Sequence, residues 1–177
     1  MEKDYKKIIP IRFHNASYED IPEEFKEKIT KQIRDRNGVY FFGESGVGKT
    51  HMVCGLIKNF LKNGIDVMFL NTGDFLEKLR EEFNKPNDEE ESLFRTIMDF
   101  KGVLVFDDIG AEKASDWTRE RLYLIINKKY EDMIPMIFTS NCDMEILSAR
   151  MGDRISSRIM GMTDIIKVDG DDLRAKQ

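Results

Sequence analysis

Gly43-Glu44-Ser45-Gly46-Val47-Gly48-Lys49-Thr50 constrains this chain more tightly than any other stretch. The run fits G-x-x-x-x-G-K-[ST] in full, and its flanks are those the pattern requires. Before it, Val39-Tyr40-Phe41-Phe42 is a short apolar run between glycines, which reads as a buried strand. After it, Val53, Leu56, Ile57, Phe60 and Leu61 form one helical face beginning near Lys49, and Gly64 predicts the C-terminal cap. Strand, glycine loop and helix N-terminus in that order make a phosphate cradle. Glycine lets backbone N–H groups converge on phosphate oxygens, and the helix dipole adds positive potential. Lys49 is expected at the β- and γ-phosphates and the Thr50 hydroxyl at Mg²⁺, with His51 following in the first helical turn. Gly43 through His51 are thus the candidate nucleotide-binding residues.

The rest of the chain fits the same architecture. Pro22, Glu23 and Glu24 start an amphipathic helix over 22–35 that carries Phe25, Ile29 and Ile33, and Asn37-Gly38 stops it. Val67-Met68-Phe69-Leu70 reads as a strand. Asn71 or Thr72 caps a helix with Phe75, Leu76, Leu79 and Phe83. Pro86 to Glu91 reads as an acidic loop, and Leu93, Phe94, Ile97 and Met98 as a short helix. Val103-Leu104-Val105-Phe106 is apolar on both faces, as a central parallel strand is. Ser115 or Asp116 caps a helix with Leu122, Ile125 and Ile126. Ile134 to Thr139 is the next strand, residues 143–160 form two short helices broken near Gly152, and Ile165 to Val168 is the last strand. Strands alternating with helices predict a parallel sheet covered on both faces. Residues 1–20 read as an irregular lead-in and 21–177 as one core, making a single domain.

Carboxylates and amides supply the rest of a site. Val103 to Phe106 runs into Asp107-Asp108, and carboxylates at the carboxyl end of a parallel strand stand beside the ligand crevice. Asp107 is the candidate Mg²⁺ ligand, through water. Asp108 is the candidate that orients and activates an attacking water. Thr139-Ser140-Asn141 ends the following strand. If that strand inserts between those ending at Gly43 and Asp107, the Asn141 amide lies near the γ-phosphate. Arg154 and Arg158 fall four apart on one helical face, either as a solvated basic stripe or as a guanidinium reaching a neighbouring subunit's γ-phosphate.

Composition excludes several classes. With 41% hydrophobic and 34% charged residues the chain has material for a real core, so global disorder is excluded. No apolar run reaches the roughly 18–20 residues of a membrane helix, so no membrane role is expected. Cys54 and Cys142 lack metal or redox spacing, and no protein-bound transition metal is expected; a reducing cytoplasm fits. A net charge of −5 means that any nucleic acid must be met by a local basic face. The candidates are a helix with Lys78 and Arg80 or one with Arg119 and Arg121.

Phe106-Asp107-Asp108-Ile109-Gly110-Ala111-Glu112-Lys113, then Asp116-Trp117-Thr118-Arg119-Glu120, then Leu122-Tyr123 and Ile125 to Glu131, resembles the DnaC/DnaI bacterial helicase loaders, and IstB-type transposition ATPases share much of it. Ile9 to Phe13, Ala16-Ser17-Tyr18, Thr139-Ser140-Asn141 and Asp153 through Ile159 extend the likeness over roughly residues 8–174. The resemblance implies an α/β AAA+ P-loop fold with sheet order 5-1-4-3-2, and ATP or ADP as the ligand of Gly43 through His51. It implies Asn141 as the sensor-1 residue and Arg158 as an arginine finger with Arg154 beside it. It also implies a replicative DNA helicase and single-stranded DNA as partners, and a homo-oligomer when ATP is bound. Loaders carry a helicase-binding region before such a core, and many AAA+ proteins a helical lid after it. Here the expectation is a core without a C-terminal lid or sensor-2 arginine, hence slow hydrolysis. The alternatives are an IstB-like regulator of a transposase and a small-molecule kinase. For the latter no dedicated basic lid is evident, and Asn141 with the arginine pair would have little use.

Overall fold

In a computed structural model the chain is described over residues 4–83, 92–111 and 114–170. Among these residues the order is α1 (Glu23–Arg34), β1 (Gly38–Phe42), α2 (Lys49–Lys62), β2 (Val67–Asn71), α3 (Thr72–Phe83), α4 (Ser92–Asp99), β3 (Val103–Asp107), α5 (Asp116–Glu131), β4 (Met136–Ser140), α6 (Met144–Met151), α7 (Asp153–Met162) and β5 (Thr163–Lys167). The acidic loop expected at Pro86–Glu91, and Glu112 and Lys113, lie outside the described residues.

The five strands form one sheet in the order β2-β3-β4-β1-β5, parallel throughout. That is the expected order read from the other edge. β4 inserts between β1 and β3, with Val39 beside Ile137 and Val105 beside Ile137 on the other side. Alternation along the strands divides the core in two. Tyr40, Phe106 and Phe138 face α3 through α7, with the Phe106 and Phe138 rings stacked at 6.1 Å. Val39, Phe41, Val105 and Ile137 face α2, against Val53, Leu56 and Ile57.

The element boundaries follow local chemistry. Ser115, not Asp116, caps α5, its hydroxyl accepting from the Thr118 N–H. α2 ends as Gly64 predicts: the Ile65 N–H reaches back to the Phe60 carbonyl at 2.9 Å and Gly64 N–H to Leu61 at 3.1 Å, the Schellman pattern. β4 starts at Met136, later than expected, because the Ile134 N–H closes a turn onto Lys129 and Pro135 has no N–H to give. β5 is shifted toward Thr163, pairing Gly38 with Thr163. The lead-in is more ordered than its composition implies. It makes three short 3₁₀ turns, Tyr5–Lys7, Ile11–Phe13 and Tyr18–Asp20, and buries Ile9 and Ala16. The Lys58 ammonium donates to the carbonyls of His14 (2.6 Å) and Ala16 (2.7 Å), pinning this segment to α2. Gly55 permits the approach, since a Cβ there would stand 2.4 Å from the Ser17 carbonyl oxygen. Among the described residues no helix is long and apolar enough to cross a membrane.

Candidate functional site

The carboxyl ends of β1, β3 and β4 open into a cleft of about 530 Å³. The glycine loop wraps one side, with Gly46 at φ 91° and Gly48 at φ 93°, the left-handed region that a side chain resists. Gly48 is also the N-cap of α2, so the helix axis and its free N–H groups aim into the cleft. Lys49 is buried, and its ammonium donates to the carbonyls of Gly43 (2.9 Å) and Glu44 (2.7 Å) and to Asn141 Oδ1 (2.8 Å). Three acceptors thus hold the cation at the mouth of the loop, where phosphate oxygens would take their place.

The metal side is equally built. Asp107 is buried, and its Oδ1 accepts from the hydroxyls of Thr139 (2.6 Å) and Thr50 (2.9 Å). Burial pushes its carboxyl above the ordinary carboxylate range. The two hydroxyl donors oppose that, the Asp108 charge adds to it, and Lys49 counters it. A buried carboxylate with a threonine hydroxyl beside it is a hard oxygen pair that fits Mg²⁺.

Asp108 takes φ 60°, unusual for a residue with a Cβ, and its N–H donates to Thr139 Oγ1 at 2.8 Å. Its Oδ1 accepts from Asn141 Nδ2 at 3.4 Å. One amide therefore spans the two charges of the site, with Lys49 on its oxygen and Asp108 on its nitrogen. The insertion of β4 brings this about.

Not every sequence candidate lies here. His51 lines the cleft but pairs with Asp20 at 2.9 Å, fastening α2 to the lead-in. Glu44 and Val47 turn toward a separate groove beside Val168. Arg154 and Arg158 do not line the cleft. From α7 they pack against α5, Arg154 over the Tyr123 ring at 4.0 Å and Arg158 over Tyr130 at 4.8 Å, with Arg158 Nε donating to Asn127 Oδ1 at 2.8 Å. Conversely, Arg12, Phe13 and Asn15 from the lead-in, Asn71 from β2 and Thr139 line the cleft. Arg12 and Phe13 fall in the segment that carries the family likeness, but nothing in it marks them for the cleft, and the tether to α2 brings the lead-in there. Thr139 had a readable signal: two residues before Asn141 on a strand, it shares that residue's face.

A parallel sheet of this order, with the glycine loop after β1 and acidic residues at the end of β3, defines an AAA+ P-loop nucleotide-binding core. The profile of the family described as IstB-like ATP binding protein matches residues 22–177, and the chain belongs to that family. The replicative helicase loader DnaC of Escherichia coli K12 is 24% identical over 137 residues, covering 77% of this chain and 53% of the loader. The replicative helicase loader DnaI of Bacillus subtilis is 25% identical over 151 residues, covering 77% and 47%. The chain thus spans about half the length of these curated relatives. The insertion sequence IS5376 putative ATP-binding protein of Geobacillus stearothermophilus is 24% identical over 181 residues, covering 98% and 70%. Among solved structures, the DnaC helicase loader superposes with a TM-score of 0.78 at 26% identity, covering 90% of this chain and 100% of that one. The replication initiator DnaA bound to AMPPCP and single-stranded DNA gives 0.75 at 20%, covering 89% and 51%.

Proposed function

We propose that this chain is the ATPase core of a helicase loader: it binds ATP with Mg²⁺, hydrolyses it slowly, and loads a replicative DNA helicase onto single-stranded DNA in the cytoplasm. In this reading residues 1–20 are the lead-in and 21–177 a single ATPase unit. The observation that carries its ATPase part is the Asn141 amide joining Lys49 to Asp108, and the loading part is supported by the alignments with the loaders DnaC and DnaI. A group that only held nucleotide would need Lys49; a link onward to Asp108 serves the attacking water. Lys49 holds the β/γ-phosphate oxygens, Thr50 and Asp107 hold the metal, Asp108 accepts the water's proton, and Asn141 fixes the distance between them. Mg²⁺ held by Thr50 and Asp107 would supply neutralisation of phosphate charge. Arg158, with Arg154 beside it, lies off its own cleft and serves that of the next subunit in an ATP-bound homo-oligomer.

For single-stranded DNA, the helices α3 and α5 act as one face. Arg80 of α3 and Arg121 of α5 both stand over the Trp117 ring, at 5.6 and 5.8 Å. Arginine beside aromatic rings suits an unpaired strand, whose bases expose flat faces. A second reading, an IstB-like ATPase regulating a transposase, is favoured by the alignment that covers 98% of this chain and 70% of the IS5376 protein.

The test is sedimentation with ATP and single-stranded DNA, together with pull-downs against a replicative helicase and against a transposase. Assembly only with ATP, DNA binding that weakens with salt, and capture of the helicase support loading. Capture of the transposase alone supports the second reading. Calorimetry giving equal ATP affinity for wild type and Lys49→Ala overturns both.

A further inference from the structure

Asp108 starts a short loop whose near end is pinned to β4: the Asp108 N–H donates to Thr139 Oγ1 at 2.8 Å, the Ile109 N–H donates to the Thr139 carbonyl at 2.9 Å, and the Ile109 side chain is buried. Both Asp108 (φ 60°) and Gly110 (φ 83°) are left-handed. On one side the loop borders the nucleotide cleft through Asp108. On the other, Asp108, Gly110 and Ala111 border a second cleft of about 450 Å³. Beyond those two N–H groups, the loop is held through its carbonyls. The Ile109 carbonyl accepts from the buried Ser140 hydroxyl at 2.6 Å, a bond internal to the sheet's end. The Gly110 carbonyl accepts from Arg150 Nη1 at 2.7 Å, a charge-assisted bond from the last turn of α6.

α6 is in turn tied to α7. Ser148 donates to Asp153 Oδ1 at 2.5 Å, and Ser156 donates to Ser148 at 3.1 Å. α7 is the helix with Arg154 and Arg158. A continuous series of hydrogen bonds and covalent chain therefore runs from α7 through Ser148, Arg150 and Gly110 to Asp108. Arg150 is exposed, carries no ion pair among the described residues, and lies outside the nucleotide cleft. It donates to the Gly110 carbonyl at the far end of this loop, which the Cys142 thiol also approaches at 3.7 Å.

We propose that Arg150 is a positioning residue for Asp108, coupling the α6–α7 helix pair to the water-orienting end of the site. This rests on the ATPase reading above. A shift of α7 at a subunit contact is passed by Arg150 to the loop, and Asp108 turns toward or away from the water. Arg150 does not line the nucleotide cleft, so its loss acts on turnover and spares binding.

The test is steady-state ATP hydrolysis at protein concentrations that assemble, with single-stranded DNA, alongside the Kd for a non-hydrolysable ATP analogue. The proteins are wild type, Arg150→Ala, Arg150→Lys, Asp108→Asn and the Arg150→Ala/Asp108→Asn double variant. Arg150→Ala is expected to lower kcat about 10- to 100-fold with Kd held within about twofold, the signature of misplaced rather than missing machinery. Arg150→Lys, which keeps a charged donor, recovers part of the loss. In the Asp108→Asn background Arg150→Ala adds little, because a residue acting through Asp108 has nothing left to act on. Should Arg150→Ala fail to fold, Arg150→Gln, with a donor and no charge, makes the same comparison. An active wild type with unchanged kcat in Arg150→Ala overturns the proposal and leaves the ATPase reading standing. So does a full loss repeated in the Asp108→Asn background. A wild type that binds ATP yet never turns it over, even with DNA and assembled, overturns the ATPase reading and this proposal with it.

Discussion

Thr139→Val removes one hydroxyl and almost no volume, yet that hydroxyl serves two functional residues at once. It donates to Asp107 Oδ1 at 2.6 Å and accepts the Asp108 N–H at 2.8 Å, in a side chain 1% exposed. Losing a donor to a carboxylate costs about 1.5–3 kcal/mol, and stranding the N–H about 1–3 kcal/mol more. Thr50 still donates to Asp107 and limits the first loss, so about 3 kcal/mol in all is reasonable. For a domain of this size that lowers Tm by about 6–12 °C. The pH dependence gives a sharper signature. Burial raises the Asp107 carboxyl above its ordinary value of 3.8, and Thr139 is the first of the groups that oppose the rise. Stability linked to a raised carboxyl is fully present below the ordinary value and is lost as pH climbs through the folded one. Thr139→Val raises that carboxyl further, so its deficit against wild type is smallest in acid and widens toward neutrality. Thermal melts in Mg²⁺-free buffer from pH 4 to 7.5, with Thr139→Ser as the control that keeps the hydroxyl, measure it. Melting curves for Thr139→Val that match wild type, or a deficit constant across pH, refute the double role.

Asp108→Asn should bind ATP and Mg²⁺ as wild type does and lose turnover, while Asp107→Asn should lose turnover together with its Mg²⁺ dependence. Identical Mg²⁺ titrations of the two would erase the division of roles. Lys129 is fully buried, its ammonium donating to the carbonyls of Met98 and Phe100 at 3.0 and 2.6 Å, and burial brings its pKa down to about 8 from 10.5. The unfolded chain then holds the proton to higher pH, so Lys129 contributes stability that grows by about 3 kcal/mol from pH 8 to 10.5, against the opposing loss from the Cys54 thiol, which burial pushes up to about 12. Urea midpoints of wild type that gain on those of Lys129→Met as pH climbs through this range would bear this out, and equal slopes would count against it. Arg158→Ala and Lys49→Ala should each be nearly inactive and regain activity when mixed, since some interfaces then join an intact cleft to an intact arginine worth up to about 10³-fold or more. No recovery in a mixture that sediments as an assembly would return Arg158 to its contacts with Tyr130 and Asn127.

What could be read from the chain divides along the range of the interactions. The glycine loop, the β3 carboxylates and the amphipathic helices are local patterns, and they stand where periodicity puts them. The same holds for Gly64, whose role depends on the four residues before it. Lys129 was not legible, because its neighbours on α5 read as a charged stripe and only the approach of α4 buries it. The lead-in looked irregular for the same reason: Lys58, far along the chain, supplies the donors that order it. Thr139 was visible as part of a motif, but its double duty needs Asp107 and Asp108 on the neighbouring strand. Arg150 carries no motif at all.

The placing of β4 has a temporal consequence. β1, which leads into the glycine loop, is flanked by β4 and β5, so its backbone pairs only with the final third of the chain. A ribosome moving at about 5–20 residues per second needs on the order of 5 to 20 s to travel from Phe42 to Met136. Through that interval Lys49 and Thr50 can exist as a nascent helix start, but Asn141 does not yet exist. Nucleotide can therefore stabilise this fold fully only after β4 and β5 have been made, as a late selection for chains in which those strands have found their slots. Raised nucleotide during refolding should lock in completed molecules and leave the early collapse rate unchanged.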